Sequence, residues 1–174
     1  MIDIETLGRI PGCPILSIGA VEFNPREGVL GRTFYVVADQ DQAVWGFKPE
    51  AHTRSWWEKQ SPEAQAVFFD PHRVSIKDML ALFSVWCKEI NDPYFLVWGN
   101  GADFDPPILA KAYSMVGYDI PWQPFCIRCY RTIKNLRPDI KIKRHGDEHN
   151  ALADAIAQAV HLMDIQEQST LTLA

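Results

Sequence analysis

The stretch Ile2-Asp3-Ile4-Glu5, followed by ILSIGAVEF at Ile15 to Phe23 and TFYVV at Thr33 to Val37, decides the fold class of this chain. The first segment alternates apolar and acidic residues, as a strand does with one face in a core. It begins abruptly, because a central strand ordinarily carries another apolar residue or two upstream, so a slightly trimmed start is expected. The second and third segments also read as strands, separated by the turn Asn24-Pro25-Arg26-Glu27-Gly28. Together the three predict an antiparallel meander.

Helical signals take over downstream. Thr53 stands as an N-cap for a short helix carrying Trp56 and Trp57. Ser61-Pro62-Glu63 combines an N-cap, a proline at the first helical position and an acid near the positive helix end. Ser75-Ile76-Lys77-Asp78 resembles a capping box with Asp in place of Glu and opens a helix through about Ile90. Tyr94 to Trp98 (YFLVW) reads as a buried strand. A helix follows from Asp105 to Val116, stopped by Gly117. Arg128 to Leu136 and the Ala-rich stretch from His149 to about Gln166 read as further helices. The order describes an α/β domain with a mixed sheet. It fills residues 1–168 as one unit, with 169–174 as a frayed tail.

Composition narrows the class. A chain of 174 residues with 47% hydrophobic and 22% charged residues is ordinary for a soluble globular protein. No apolar run is long enough to span a bilayer and no signal-peptide layout opens the chain, so no membrane partner and a cytoplasmic location are expected. The net charge of −5 argues against a broad basic surface for gripping duplex nucleic acid. It does not exclude a nuclease, whose metal-binding carboxylates count as negative until cations bind. Of the four cysteines only Cys126 and Cys129 are close, and no second pair completes a zinc site, so they read as structural or incidental thiols.

Three short segments carry chemistry. Asp3 and Glu5 are two apart on a strand and point to the same side. Two carboxylates there lose hydration and repel each other unless a cation compensates; the competing reading is an exposed edge with two solvated acids. After YFLVW, Gly99-Asn-Gly-Ala-Asp-Phe-Asp105 leaves a strand end and enters a helix, where α/β folds place functional groups. Asp103 and Asp105 both qualify as ligands there, against the alternative of an Asp N-cap. In His149-Asn-Ala-Leu-Ala-Asp154 the two polar ends lie about 140° apart on a regular helix. They share a site only if His149 sits at or before the helix start.

In this order D-I-E-T, a strand-end F-D and H-x4-D match the three exonuclease motifs of the DnaQ-like (DEDDh) superfamily, and the resemblance spans Asp3 to Asp154. T-x-x-W-W (Thr53 to Trp57), W-G-N-G-A (Trp98 to Ala102) and H-N-A-L-A-D-A resemble its small bacterial and phage 3′–5′ exoribonuclease-like branch. The resemblance implies an RNase H-like fold, with an antiparallel meander plus parallel strands flanked by helices. It implies that Asp3, Glu5, Asp105 and Asp154 hold two divalent cations, Mg²⁺ or Mn²⁺, and that His149 is the general base. The family motif sets its acid directly after the aromatic, which selects Asp105 over Asp103. Asn100-Gly101 departs from the His-Asn that other branches often carry. Relatives are often homodimers, so a second copy of the chain is an expected partner.

The implied substrate is a single-stranded 3′ end of RNA or DNA, trimmed to nucleoside 5′-monophosphates. Hard cations prefer oxygen, consistent with four carboxylates and no thiolate, and an imidazole titrates near neutrality, as a base for water must. Trp56 and Trp57 cannot both face one way on a helix; one belongs to the core. Trp57 and Phe104 are the candidates for stacking on the terminal base; the competing reading has both tryptophans in packing. Thr6, Leu7, Asn100 and Arg144 complete the expected substrate contacts. Arg128, Arg131 and Lys134 recur on one predicted helix, and Lys141, Lys143 and Arg144 form a second basic cluster before His149. A polymerase-associated proofreading subunit and a non-catalytic nucleic-acid-binding module on the same fold are the alternatives.

Overall fold

In a computed structural model that describes residues 1–143 and 149–169, β1 (Ile2–Thr6), β2 (Ile15–Asn24) and β3 (Val29–Val37) form an antiparallel sheet in the order β1-β2-β3. β2 is the central strand and is buried from Ile15 to Val21, which accounts for its nearly unbroken apolar run. β3 begins at Val29, four residues before the predicted start, because Asn24 and Val29 already pair across the hairpin. Gly28 closes that turn with φ 66°, in the left-handed region that suits glycine.

The central helices follow their caps with one exception. α1 (Ala51–Trp57) is entered from Glu50, not from Thr53, which lies buried inside the helix. The Thr53 amide bonds to the Glu50 carbonyl at 3.1 Å, so the helical turn has already begun there. Ser61 caps α2 (Pro62–Gln65) by accepting from the Ala64 amide. Ser75 caps α3 (Ile76–Lys88) through the Asp78 amide, while its own hydroxyl donates to the Asp78 carboxylate at 2.7 Å.

β4 (Val97–Gly99) is shorter than YFLVW, because a turn at Asp92 takes the amides of Tyr94 and Phe95. α4 (Asp105–Val116) ends at Gly117 in the left-handed conformation, φ 78°. Arg128 is not helical. It sits on β5 (Ile127–Cys129), which pairs parallel with β4 in the register Trp98 to Arg128, and α5 (Tyr130–Leu136) starts after it. The parallel pair stands beside β1 as a two-stranded sheet of its own. α6 (Ala151–Glu167) closes the described chain, with Asn150 as its cap. The architecture is thus mixed α/β, with a three-stranded antiparallel sheet, a parallel pair and flanking helices.

Alternation along β1 sets the layers. Ile2, Ile4, Ile18 and Ala20 join Leu80 of α3 and Leu109 of α4 in the main core. The opposite face receives α6, whose Ala155, Ala159 and Leu162 pack with Val21 and Trp98. A third cluster joins Leu7, Leu16 and Val37 to Trp57, Ala64 and Val67. Among the described residues, no helix is long and apolar enough to cross a membrane.

Candidate active site

Asp3 and Glu5 project from β1 toward the start of α6, and the ligand oxygens of Asp3, Glu5 and Asp154 all lie within 4.8 Å of one another. Asp154 occupies the first turn of α6, where the partial positive charge of the helix end favours an anion. Gly19 permits this approach. It pairs with Asp3 across the sheet, and a Cβ there would stand only 2.1 Å from the Ala151 backbone carbon. The start of α6 therefore rests directly on the backbone of β2.

Asp105 opens α4 and is 2% exposed. Phe104, not Asp105, holds the cap position. One Asp105 oxygen, Oδ1, accepts the Ile4 amide at 3.2 Å, which ties α4 to β1 between Asp3 and Glu5. The other, Oδ2, is buried and has no hydrogen-bond partner among the described residues. Asp103 points elsewhere, with an exposed side chain 3.8 Å from the Arg131 guanidinium. The structure therefore separates the two candidates: Asp105 stands behind the acid cluster and Asp103 on the surface.

Burial raises the carboxyls of Asp3, Glu5 and Asp105. For Asp3, repulsion from Asp105 and Glu5 adds to the burial; for Glu5, repulsion from Asp154 and Asp105 does so. At Asp105 the backbone amides of Ile4, Asp105 and Asn100 oppose the rise. Without cations these acids therefore hold protons more strongly than carboxyls in water.

His149 lies just before the Asn150 cap, outside the helix, so the separation expected on a regular helix does not apply. Its backbone is left-handed with φ 65°, a conformation shared among non-glycine described residues only by Asn91. Its ring meets Trp56 edge-on at 4.8 Å and Trp57 at 6.2 Å. His149 also borders a hollow of about 600 Å³ with Tyr35, Glu63, Phe69 and Asp70. A larger hollow of about 810 Å³ is walled by Val21, Trp86, Trp98 and Arg128, and among the described residues its lining includes neither His149 nor any of the four candidate acids.

Residues 1–166 match the 3′-5′ exoribonuclease Rv2179c-like domain. The chain belongs to that family. No curated protein matches this Rv2179c-like domain. Among solved structures, its fold is similar to that of Exonuclease X in complex with 5′ overhanging duplex DNA, with TM-score 0.58 and 19% identity over 98% of this chain and 92% of that one.

The remaining substrate candidates of the Rv2179c-like domain divide by exposure. Trp57 is 2% exposed, with its indole N–H donating to the Thr6 carbonyl at 2.8 Å, so it offers no face to a base. Trp56 is the exposed partner at 42%. Leu7 is buried in the third cluster, and the buried Thr6 hydroxyl donates to the Gly8 carbonyl. Those side chains serve packing and a turn. Phe104 is half-buried against the main core. The Asn100 carbonyl accepts from Arg131. Lys134 lies over the Tyr130 ring, Lys143 pairs with Asp164 at 3.5 Å, and Lys141 donates to the Pro138 carbonyl. Arg144 lies outside the described residues. All four cysteines are free thiols, and Cys126 is buried against the Tyr94 carbonyl.

Sequence reasoning missed two residues that build this site. Gln158 donates from Nε2 to Asp3 Oδ1 at 2.8 Å. Its signal was available: it follows Asp154 by four residues and so shares a helix face. Gly19 was the other, since a glycine inside a strand marks a close backbone approach.

Proposed function

We propose that this domain is a 3′–5′ exonuclease of the DEDDh type. It hydrolyses the terminal phosphodiester of a single-stranded 3′ end and releases nucleoside 5′-monophosphates. Asp3, Glu5, Asp105 and Asp154 would hold two divalent cations, Mg²⁺ or Mn²⁺, and His149 would serve as general base. The observation that carries this reading is the convergence of Asp3, Glu5 and Asp154 within 4.8 Å, with the partnerless Oδ2 of Asp105 buried behind them. Acids that repel one another in a desolvated site fit hard cations, which prefer oxygen donors and offset the repulsion.

When bound, the cations supply positive charge for the attacking and leaving oxygens of an in-line displacement. His149 accepts a proton from the attacking water as its oxygen bonds to phosphorus and the bond to the leaving 3′ oxygen breaks. The left-handed backbone at His149 turns the chain out of α6, so that base and acid stand on different elements. Trp56 replaces Trp57 as the stacking platform, because it is exposed and lies against the His149 ring. The family description makes RNA the first polymer to test, alongside matched DNA.

The test uses a 5′-labelled single-stranded RNA. A ladder of shortened products that a chelator abolishes is expected. Asp3→Ala loses Mn²⁺ binding and turnover, whereas His149→Ala keeps Mn²⁺ binding and loses about 10²–10⁴-fold in turnover. Asp105→Asn abolishes activity where Asp103→Asn retains it. Equal Mn²⁺ affinity in wild type and Asp3→Ala overturns the assignment.

A further inference from the structure

Gln158 is 3% exposed on α6, one turn beyond Asp154. A long polar side chain loses its hydration there, and its carbonyl oxygen Oε1 is buried without a partner among the described residues. A leucine or methionine would fill the same space without that loss. What the amide provides is one hydrogen bond, from Nε2 to Asp3 Oδ1 at 2.8 Å. With Asp3 ionised, as a cation ligand must be, the orientation follows from chemistry, since a flipped amide would set its oxygen against a carboxylate oxygen.

The residue type is selective as well. A Lys or Arg reaching Asp3 would cancel charge that a cation needs, and a Glu would add a further acid to a repelling group. A glutamine donates while leaving the charge intact. Asp3 is thereby tied to the same helix that carries Asp154, so the spacing between those two acids follows the seating of α6 on β1.

We infer that Gln158 is a positioning residue for the metal site, orienting the Asp3 carboxylate toward Glu5 and Asp154 and thereby setting divalent-cation affinity. This rests on the proposed two-cation reading. It is tested by calorimetric titration of Mn²⁺ into chelator-stripped wild type, Gln158→Met and Gln158→Asn, the last too short to reach Asp3. Melting in EDTA and turnover across Mn²⁺ concentrations are measured in parallel.

Both variants are expected to bind Mn²⁺ about 10–100-fold more weakly. Gln158→Met should melt in EDTA close to wild type, and its turnover should recover toward wild type as Mn²⁺ is raised. If Gln158→Met gives no cooperative melt, Gln158→Asn, which keeps the amide, carries the comparison. Wild-type Mn²⁺ affinity in a folded variant, or a turnover loss that Mn²⁺ does not relieve, overturns the role of Gln158. Failure of wild type to bind Mn²⁺ instead overturns the two-cation reading itself.

Discussion

Replacing Gly19 with alanine tests how the acid site is held together. The new Cβ would stand 2.1 Å from Ala151 C, 2.2 Å from Leu152 N and 2.4 Å from Ala151 O. All three are backbone atoms, so no side chain can swing aside. Ordinary contact begins near 3.4 Å, and the start of α6 must therefore retreat by about 1 Å. Asp154 and Gln158 move with it. The 2.8 Å bond from Gln158 to Asp3 stretches beyond hydrogen-bond reach, and the acids spread from their 4.8 Å cluster. Overpacking of this kind costs about 1–3 kcal/mol, or roughly 2–12 °C in Tm for a chain this long. A displacement near 1 Å at reacting groups costs about 10²-fold in rate. The assays are a thermal melt and kcat/KM on labelled single-stranded RNA. Gly31→Ala is the control, because its Cβ would meet Glu22 Cβ at 3.0 Å and Oε2 at 3.1 Å, with the nearest backbone atom only at 3.7 Å. Wild-type Tm and turnover in Gly19→Ala, or equal losses in the control, would refute the reasoning.

Two further predictions follow from exposure and charge. Trp57→Leu should lower stability on the order of 3 kcal/mol by opening a cavity and orphaning the Thr6 carbonyl. Trp56→Leu should stay within ~1 kcal/mol of wild type in denaturant melts, yet bind single-stranded oligonucleotide about 1–3 kcal/mol more weakly; the reverse pattern would contradict the assignment. The raised carboxyls of Asp3, Glu5 and Asp105 make the cation-free native state bind more protons than the unfolded chain above the usual carboxylate range. Stability in EDTA should therefore fall as pH rises through that window and level off above the raised values. Asp105→Asn should decline less steeply, and Mn²⁺ should raise Tm more near pH 8 than near pH 5; melts at matched ionic strength check both.

The sequence alone determined what depends on neighbours along the chain. Alternation in Ile2 to Glu5 put both acids on one face of a strand, because side chains of a strand point up and down in turn. Ser61 and Ser75 marked their helices through amides three residues on, and Gly117 stopped α4 because its backbone turns left-handed there. Local signals were insufficient where a distant partner intervened. Arg128 had a helical pattern and became a strand because β4 offered a parallel ladder. Thr53 had the chemistry of a cap, but the turn had already begun at Glu50. Trp56 and Trp57 are indistinguishable by type; only the third cluster decides that Trp57 is the buried one. Asp103 and Asp105 are both acids at a strand end, and the Ile4 amide, 101 residues away in the chain, accounts for which one is held against β1. Tertiary structure alone brought α6 onto Gly19 and Gln158 onto Asp3. Local pattern marks Gly19 and Gln158 as residues of interest, but their partners depend on where two elements far apart in sequence pack.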